Sequence, residues 1–187
     1  EEKIRMLEEL EKNMEGYFGA VKAVMKESGR GALRGIHGPV SQLITVKEKY
    51  SAAIETALGA AVQHIVVDNE TDAKRAMGFL KERRAGRATF LPITAIKGRV
   101  LSEQGLDDQY GFVSIASDLV SYDNKYSEII RWLLGRTAVA EDIDSAVAIA
   151  KKYSYRFRIV TLDGQVINAG GSLTGGSLVK QAGMLSR

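Results

Sequence analysis

Apolar positions recur along this 187-residue chain in two rhythms, one helical and one strand-like. At the N-terminus, Ile4, Leu7, Glu11 and Met14 follow a 3-4-3 spacing within a charged stretch from Glu1 to about Asn13. That spacing predicts a helix with one narrow seam, the kind that pairs with a partner helix. Gly16 and Gly19 interrupt it, and a second short helix is predicted over Tyr17 to Glu27, with Phe18, Val21 and Met25 on one face. Beyond the loop at Ser28–Gly31 the pattern predicts a strand from Val40 to Val46 and a helix from Tyr50 to Ala60. A buried strand follows at His64 to Val67, a helix at Thr71 to Arg84 capped by Asn69 or Thr71, and a strand at Ala88 to Leu91 stopped by Pro92.

Much of this order then repeats. Gly38-Pro39-Val40-Ser41 matches Gly111-Phe112-Val113-Ser114, and Lys49-Tyr50-Ser51 matches Lys125-Tyr126-Ser127. Leu58-Gly59 matches Leu134-Gly135, Asp72-Ala73 lines up with Ser145-Ala146, and Arg87 to Leu91 lines up with Arg158 to Leu162. Strand, helix, strand, helix, strand is kept in both halves. The fold class expected is therefore α/β in the mixed α+β sense: two similar small subdomains with mixed sheets flanked by helices, plus coiled-coil stubs at the ends. The divisions expected are 1–27 for the stub and entry helix, 28–105 and 106–177 for the two subdomains, and 178–187 for the start of a returning coiled coil. Residues Ile93 to Tyr110 read as a polar linker between the halves. Asp163-Gly164 is a hairpin signal, and Gln165 to Asn168 the return strand.

That strand runs into Asn168-Ala169-Gly170-Gly171-Ser172-Leu173-Thr174-Gly175-Gly176. Glycine permits positive φ and lets another backbone come close, but it loses more entropy on folding than any other residue. Two Gly-Gly pairs together therefore call for a tight turn, a phosphate cradle, or a surface on which a second backbone packs. A phosphate loop would need a lysine directly after its last glycine. Here Ser177 and Leu178 follow, and the first lysine is Lys180. The packing surface is the reading preferred.

Composition narrows the functions. The chain has no cysteine, which excludes disulfides and thiolate metal sites, and its formal net charge is +3. No apolar run is long enough to span a membrane. His37 and His64 lack motif partners and read as structural. Asp107-Asp108 and Glu141-Asp142 have no metal-ligand spacing, and Glu141-Asp142 reads as a helix start. No catalytic constellation, cofactor site or metal site is expected. Two basic groups stand out: Lys81, Arg83, Arg84 and Arg87 at a helix end, and Lys151, Lys152, Arg156 and Arg158 interleaved with Tyr153, Tyr155 and Phe157. Such interleaving can serve single-stranded nucleic acid. The plainer account places Tyr155, Phe157 and Ile159 toward the core of a strand, with Arg156 and Arg158 toward water.

Taken in order, several segments resemble the hinge domain of structural maintenance of chromosomes (SMC) proteins, most closely the bacterial condensin type. They are Gly19-Ala20-Val21-Lys22-Ala23-Val24, Gly35-Ile36-His37-Gly38-Pro39-Val40, Tyr50 with Ala57-Leu58-Gly59, Ala88-Thr89-Phe90-Leu91-Pro92, Arg158-Ile159-Val160-Thr161-Leu162-Asp163-Gly164 and the double-glycine stretch. The resemblance implies a homodimerisation module at the tip of an antiparallel coiled coil in a chromosome condensation and segregation ATPase. The ATP-binding heads and the sites for accessory subunits would lie outside this fragment, in a cytoplasmic, nucleoid-associated protein. Gly170, Gly171, Ser172, Thr174, Gly175 and Gly176 would lie at the dimer contact. Weak, non-specific DNA binding is implied near the coiled-coil junction, with Lys151, Lys152, Arg156, Lys180 and Arg187 as candidates. The alternative expectation is a monomeric nucleic-acid-binding α/β module.

Overall fold

The computed structural model describes residues 17–178. The predicted N-terminal coiled-coil helix and returning C-terminal helix, with Lys180 and Arg187, lie outside the described residues.

Helix α1 (Gly19–Gly29) buries Ala20, Val21 and Val24 on one face, two residues offset from the predicted span. Strand β1 (Ile36–Pro39) follows. The strand predicted over 40–46 is instead a single helical turn, α2 (Val40–Leu43), followed by β2 (Ile44–Val46). The cause is Ser41, which is buried and hydrogen-bonded to the Tyr17 hydroxyl, so a residue that reads as solvent-facing points inward. Helix α3 (Ser51–Leu58) buries Ala53, Ile54, Ala57 and Leu58. Strand β3 (Ile65–Val67), helix α4 (Glu70–Arg83) and strand β4 (Phe90–Pro92) complete the first half. Asn69 starts α4: its side-chain oxygen accepts the Asp72 N–H at 2.8 Å. Pro92 closes β4 from within rather than preceding its end, opposite Val67.

The second half comprises β5 (Phe112–Ile115), β6 (Val120–Tyr122), α5 (Ser127–Leu134), β7 (Thr137–Ala140), α6 (Ile143–Lys152) and β8 (Arg158–Thr161), extended by β9 (Val166–Ile167) and β10 (Leu173–Thr174). Asp142 caps α6 as Asn69 caps α4, accepting the Ser145 N–H at 2.8 Å, and this bond holds the Asp142 carboxyl below the usual range.

The duplication expected from the repeat is present in the strand pairing. In each half the first strand pairs antiparallel with the third, β1 with β3 and β5 with β7. The third strand then crosses over through a helix to a parallel neighbour, β3 to β4 and β7 to β8. Both first strands carry an irregularity at the same place, between Ile36 and Gly38 and between Phe112 and Ser114. The register of the repeat differs from the sequence alignment at two points. Gly35, not Gly38, is the counterpart of Gly111. Their carbonyls accept the N–H groups of Asp68 and Glu141, and a Cβ on either would collide with the helix-start side chain, Asp72 or Ser145. This puts Gly35 and Gly111 at the same spacing as Lys49 and Lys125, with no insertion between. Phe90 is the counterpart of Ile159, since each pairs with its half's third strand opposite Ile65 or Ala138. The alignment had slipped by two residues there, which preserves strand faces.

The halves join through β2 and β6, antiparallel, with Thr45 opposite Ser121. One hydrophobic cluster spans both: Ile54, Val62 and Leu91 of the first half share it with Ile130, Leu134, Val139 and Val160 of the second. A smaller cluster lies within the second half around Ile149, Phe157 and Ile159, and takes in Leu101 and Leu106 from the connecting segment.

That segment is docked rather than loose. The Gly98 N–H donates to Glu128 at 2.9 Å, and the Leu101 N–H donates to the Gly135 carbonyl at 2.9 Å. The Gly98 bond is the largest cause holding the Glu128 carboxyl below its usual range, with Arg131 adding to it. A Cβ at Gly98 would lie 2.2 Å from the Trp132 nitrogen, and one at Gly135 would lie 2.2 Å from the Arg99 carbonyl oxygen. Close backbone approach, sought in the double-glycine stretch, is thus found within the chain at these two glycines.

Candidate functional site

Strands β8 and β9 form the expected hairpin. The Gly164 N–H donates to Thr161 O at 2.9 Å, and the Gln165 N–H donates to the Thr161 hydroxyl at 2.9 Å. The chain then turns at Asn168–Ser172 and adds β10, so the sheet order is β10-β9-β8-β7-β5 with β10 at one edge.

The loop is built from its own side chains. The Asn168 N–H donates to Ser172 O at 2.8 Å, while the Asn168 amide reaches the hydroxyls of Ser172 (3.1 Å) and Thr174 (3.2 Å). The Gly170 N–H donates to the Tyr155 carbonyl at 2.8 Å, and the Tyr155 ring lies 3.7 Å from where a Cβ of Gly171 would be. Beyond β10 the Gln165 side-chain amide continues the ladder: it accepts the Gly176 N–H at 2.8 Å and donates to Gly176 O at 2.9 Å. Gly175 is required by this clasp, because its Cβ would sit 2.1 Å from the Gln165 oxygen. Gly170 and Gly176 differ. Both have positive φ, and a Cβ on either would meet nothing within 4 Å.

The Asn168 N–H to Ser172 O bond lies in register with the β9–β10 ladder, next to the Ile167–Leu173 pair. In an antiparallel ladder hydrogen-bonded and non-bonded pairs alternate, so Leu173 turns its N–H and C=O away from β9, toward the open edge. Its side chain is 63% exposed. Leu173 was not among the residues picked from the sequence. Its apolar side chain between Ser172 and Thr174 was the available signal.

The other edges differ in kind. Strands β1 and β5, at the far ends of their sheets, carry the register shifts, and bulges of this sort blunt an edge. Strand β4 has none. Thr89 O and the Ile93 N–H are both engaged with β3, so alternation turns the Phe90 N–H outward. A groove of mixed character, lined by Glu70, Thr71 and Lys74 as well as Met77, Phe90 and Pro92, runs along this edge, and Met77 is 55% exposed.

The described basic candidates lie on α6, the turn after it and β8. Lys151 and Lys152 are exposed at the last turn of α6, where cations suit the helix dipole. Arg156 is exposed and lies 4.0 Å from Glu103. Arg158 corrects the expectation that it faces water. It donates to Ala57 O at 2.8 Å and to the Thr137 hydroxyl, tying β8 to α3 of the other half. Residues 153–157 are a turn rather than strand, and β8 begins at Arg158. At the end of α4, Arg83 stacks 5.0 Å from the Phe79 ring centre and Arg84 adopts the left-handed conformation that closes the helix.

His37 bridges the halves. Its Nε2 is 2.6 Å from Asp68 and its Nδ1 is 2.8 Å from the Tyr126 hydroxyl. The His64 Nδ1 is buried without a partner among the described residues, and burial pushes the pKa of that ring down. Among the described residues no three His, Asp or Glu converge as metal ligands, and no helix is long and apolar enough to cross a membrane.

These features define an internally duplicated α/β module with one shared core. The family description "SMC proteins Flexible Hinge Domain" matches residues 33–150. The chain is 42% identical over 179 residues to the chromosome partition protein Smc of Bacillus subtilis, covering 94% of this chain and 15% of that protein. It is 45% identical to the Smc of Methanocaldococcus jannaschii over 80% of this chain and 12% of that one. Among solved structures, the asymmetric dimer of the Geobacillus stearothermophilus SMC hinge domain superposes with TM-score 0.86 at 47% identity, covering 93% of this chain and 71% of that one. The Pyrococcus furiosus SMC hinge domain superposes with TM-score 0.70 at 30% identity, covering 84% and 86%. The chain belongs to the SMC hinge family. It spans about 15% of the length of the Bacillus subtilis relative.

Proposed function

We propose that this chain is the homodimerisation hinge of a chromosome-partitioning SMC protein and joins two coiled-coil arms without catalysing a reaction. The observation that carries the reading is the pair of sheet edges without a register shift on one protomer, β10 with its exposed Leu173 and β4 with the groove beside Met77 and Phe90. An edge strand offers unpaired N–H and C=O groups, and strand addition across a subunit boundary satisfies them. In a two-fold dimer, β10 of one copy meeting β4 of the other occurs twice, which closes a ring. Leu173 would seat in the groove by Met77 and Phe90. Gly170 and Gly176, unhindered on their own protomer, would leave room for the approaching backbone, with Gly171, Ser172, Thr174 and Gly175 holding the loop. The solved Geobacillus stearothermophilus relative is an asymmetric dimer, which supports association of two copies without bearing on the two-fold edge pairing. ATP binding and accessory-subunit contacts would belong to other parts of the whole protein, acting at the nucleoid in the cytoplasm.

DNA contact is the secondary part of the proposal, through Lys151, Lys152 and Arg156, with Lys180 and Arg187 beyond the described residues. It would be phosphate-directed, non-specific and weak.

Light scattering over a dilution series at two salt concentrations tests the dimer. The expected mass is twice the chain, insensitive to salt, and Leu173→Asp should give the chain mass with an unchanged circular dichroism spectrum. A fully dimeric Leu173→Asp would refute the edge assignment. For DNA, affinity should fall steeply between about 50 and 200 mM salt, and Lys151→Ala with Lys152→Ala should flatten that slope.

A further inference from the structure

The turn after α6 is strained in a way that helix closure does not explain. Among the described residues three non-glycine residues have positive φ: Arg84, Ser154 (+58°) and Tyr155 (+57°). One left-handed residue is the common way to end a helix. Arg84 does this for α4, and Ser154 does it for α6, with the Ser154 N–H donating to Lys151 O and the Tyr155 N–H to Ala150 O. A second consecutive left-handed residue is not needed to close the helix, and a tyrosine there is disfavoured by its Cβ. What Tyr155 gains is contact with the glycine loop: its carbonyl accepts the Gly170 N–H at 2.8 Å, and its ring covers Gly171 at 3.7 Å from the missing Cβ. The turn is anchored on its other side to the connecting segment, through the Tyr153 hydroxyl donating to Gln104 O at 2.8 Å and Arg156 beside Glu103.

We infer that Tyr155 is a positioning residue for the dimer edge: its strained backbone and its ring fix loop 168–172 so that β10 presents Leu173 outward. This rests on the proposed dimerisation through β10. Gly170 and Gly171, both at positive φ, have no side chains to order themselves. A free loop there would have to be ordered on association, which weakens binding. Tyr155 supplies that order beforehand, from outside the contact itself. The hydroxyl of Tyr155 has no role in this account, so phenylalanine should serve equally.

The test compares four variants of the full chain by dimer dissociation constant, thermal melting and amide hydrogen exchange at Gly170. Tyr155→Phe should match the wild type. Tyr155→Ala should weaken the dimer about tenfold, or about 1.4 kcal/mol, and speed exchange at Gly170, while the spectrum of the folded protein is kept. Tyr155→Gly, which tolerates positive φ and keeps the carbonyl in place, should weaken the dimer less than Tyr155→Ala and guards against loss of folding in the latter. Leu173→Asp separates the two ideas. If it dissociates the dimer while Tyr155→Ala and Tyr155→Gly bind as the wild type does, the positioning role is overturned and the β10 interface stands. If Leu173→Asp remains dimeric, the interface and the role of Tyr155 fall together.

Discussion

Glu55 sits in α3 with one carboxyl oxygen buried and unpartnered among the described residues. Burial pushes this carboxyl from its ordinary 4.5 up to about 8. At neutral pH the folded protein therefore holds Glu55 protonated, whereas the unfolded chain releases the proton near 4.5. The folded state binds more protons between these values, so stability falls as pH rises from about 4.5 to about 8 and levels off above. At about 1.4 kcal/mol per unit the ceiling is roughly 5 kcal/mol. Water reaches part of the side chain, and screening reduces this to about 2 kcal/mol. Glu55→Gln removes the titration. Its melting temperature relative to wild type should rise by about 4–8 °C between pH 5 and pH 8.5. Melting curves at one fixed protomer concentration measure this, because association shifts the apparent stability. Using the difference between the two proteins cancels every other titrating group. A difference that stays constant across the pH range would refute the assignment, and one that shrinks with pH would reverse its sign.

Other perturbations follow from contacts within the protomer. Gly98→Ala and Gly135→Ala each force a Cβ to 2.2 Å from the other segment's backbone, and each should destabilise the fold by about 3 kcal/mol in chemical denaturation. Tyr126→Phe deletes the hydroxyl that meets His37 and should destabilise by about 1 kcal/mol, with His37→Ala at least as severe because Asp68 also loses its partner. Asn69→Ala and Asp142→Ala remove equivalent caps from the two halves and should each reduce the melting midpoint by the equivalent of about 1 kcal/mol, the two effects adding in the double variant.

Several elements were legible in the residues because their signals are local. Asn69 and Asp142 announce helix starts within one turn, Asp163-Gly164 announces the hairpin, and Lys49-Tyr50-Ser51 repeats intact as Lys125-Tyr126-Ser127. The misreadings share a different origin. Ser41 looks solvated until Tyr17 is seen against it. Arg158 looks solvated until the Ala57 carbonyl arrives from the other half. The 93–110 segment is polar in composition, and its docking depends on the absence of side chains at Gly98 and Gly135. At the candidate site the glycines drew attention, but their reasons are unequal. Gly175 answers to Gln165 within the protomer, while Gly170 and Gly176 answer to their positive φ, with open space where a Cβ would be. Strand β10 is two residues long, too short to show any period, so Leu173 passed unnoticed.

The common core has a mechanical consequence. Ile54 and Val62 pack with Val139 and Val160, Arg158 crosses from one half to the other, and the 97–101 strap is pinned beneath α5. Turning one half against the other would have to open close-packed hydrocarbon and break partly buried hydrogen bonds at once. A pull or torque delivered to either half is therefore carried through the protomer as through a single stiff block. If two copies join through edge strands as proposed, the compliant element is that seam, where few atoms resist, and separation there leaves each block intact and able to rejoin.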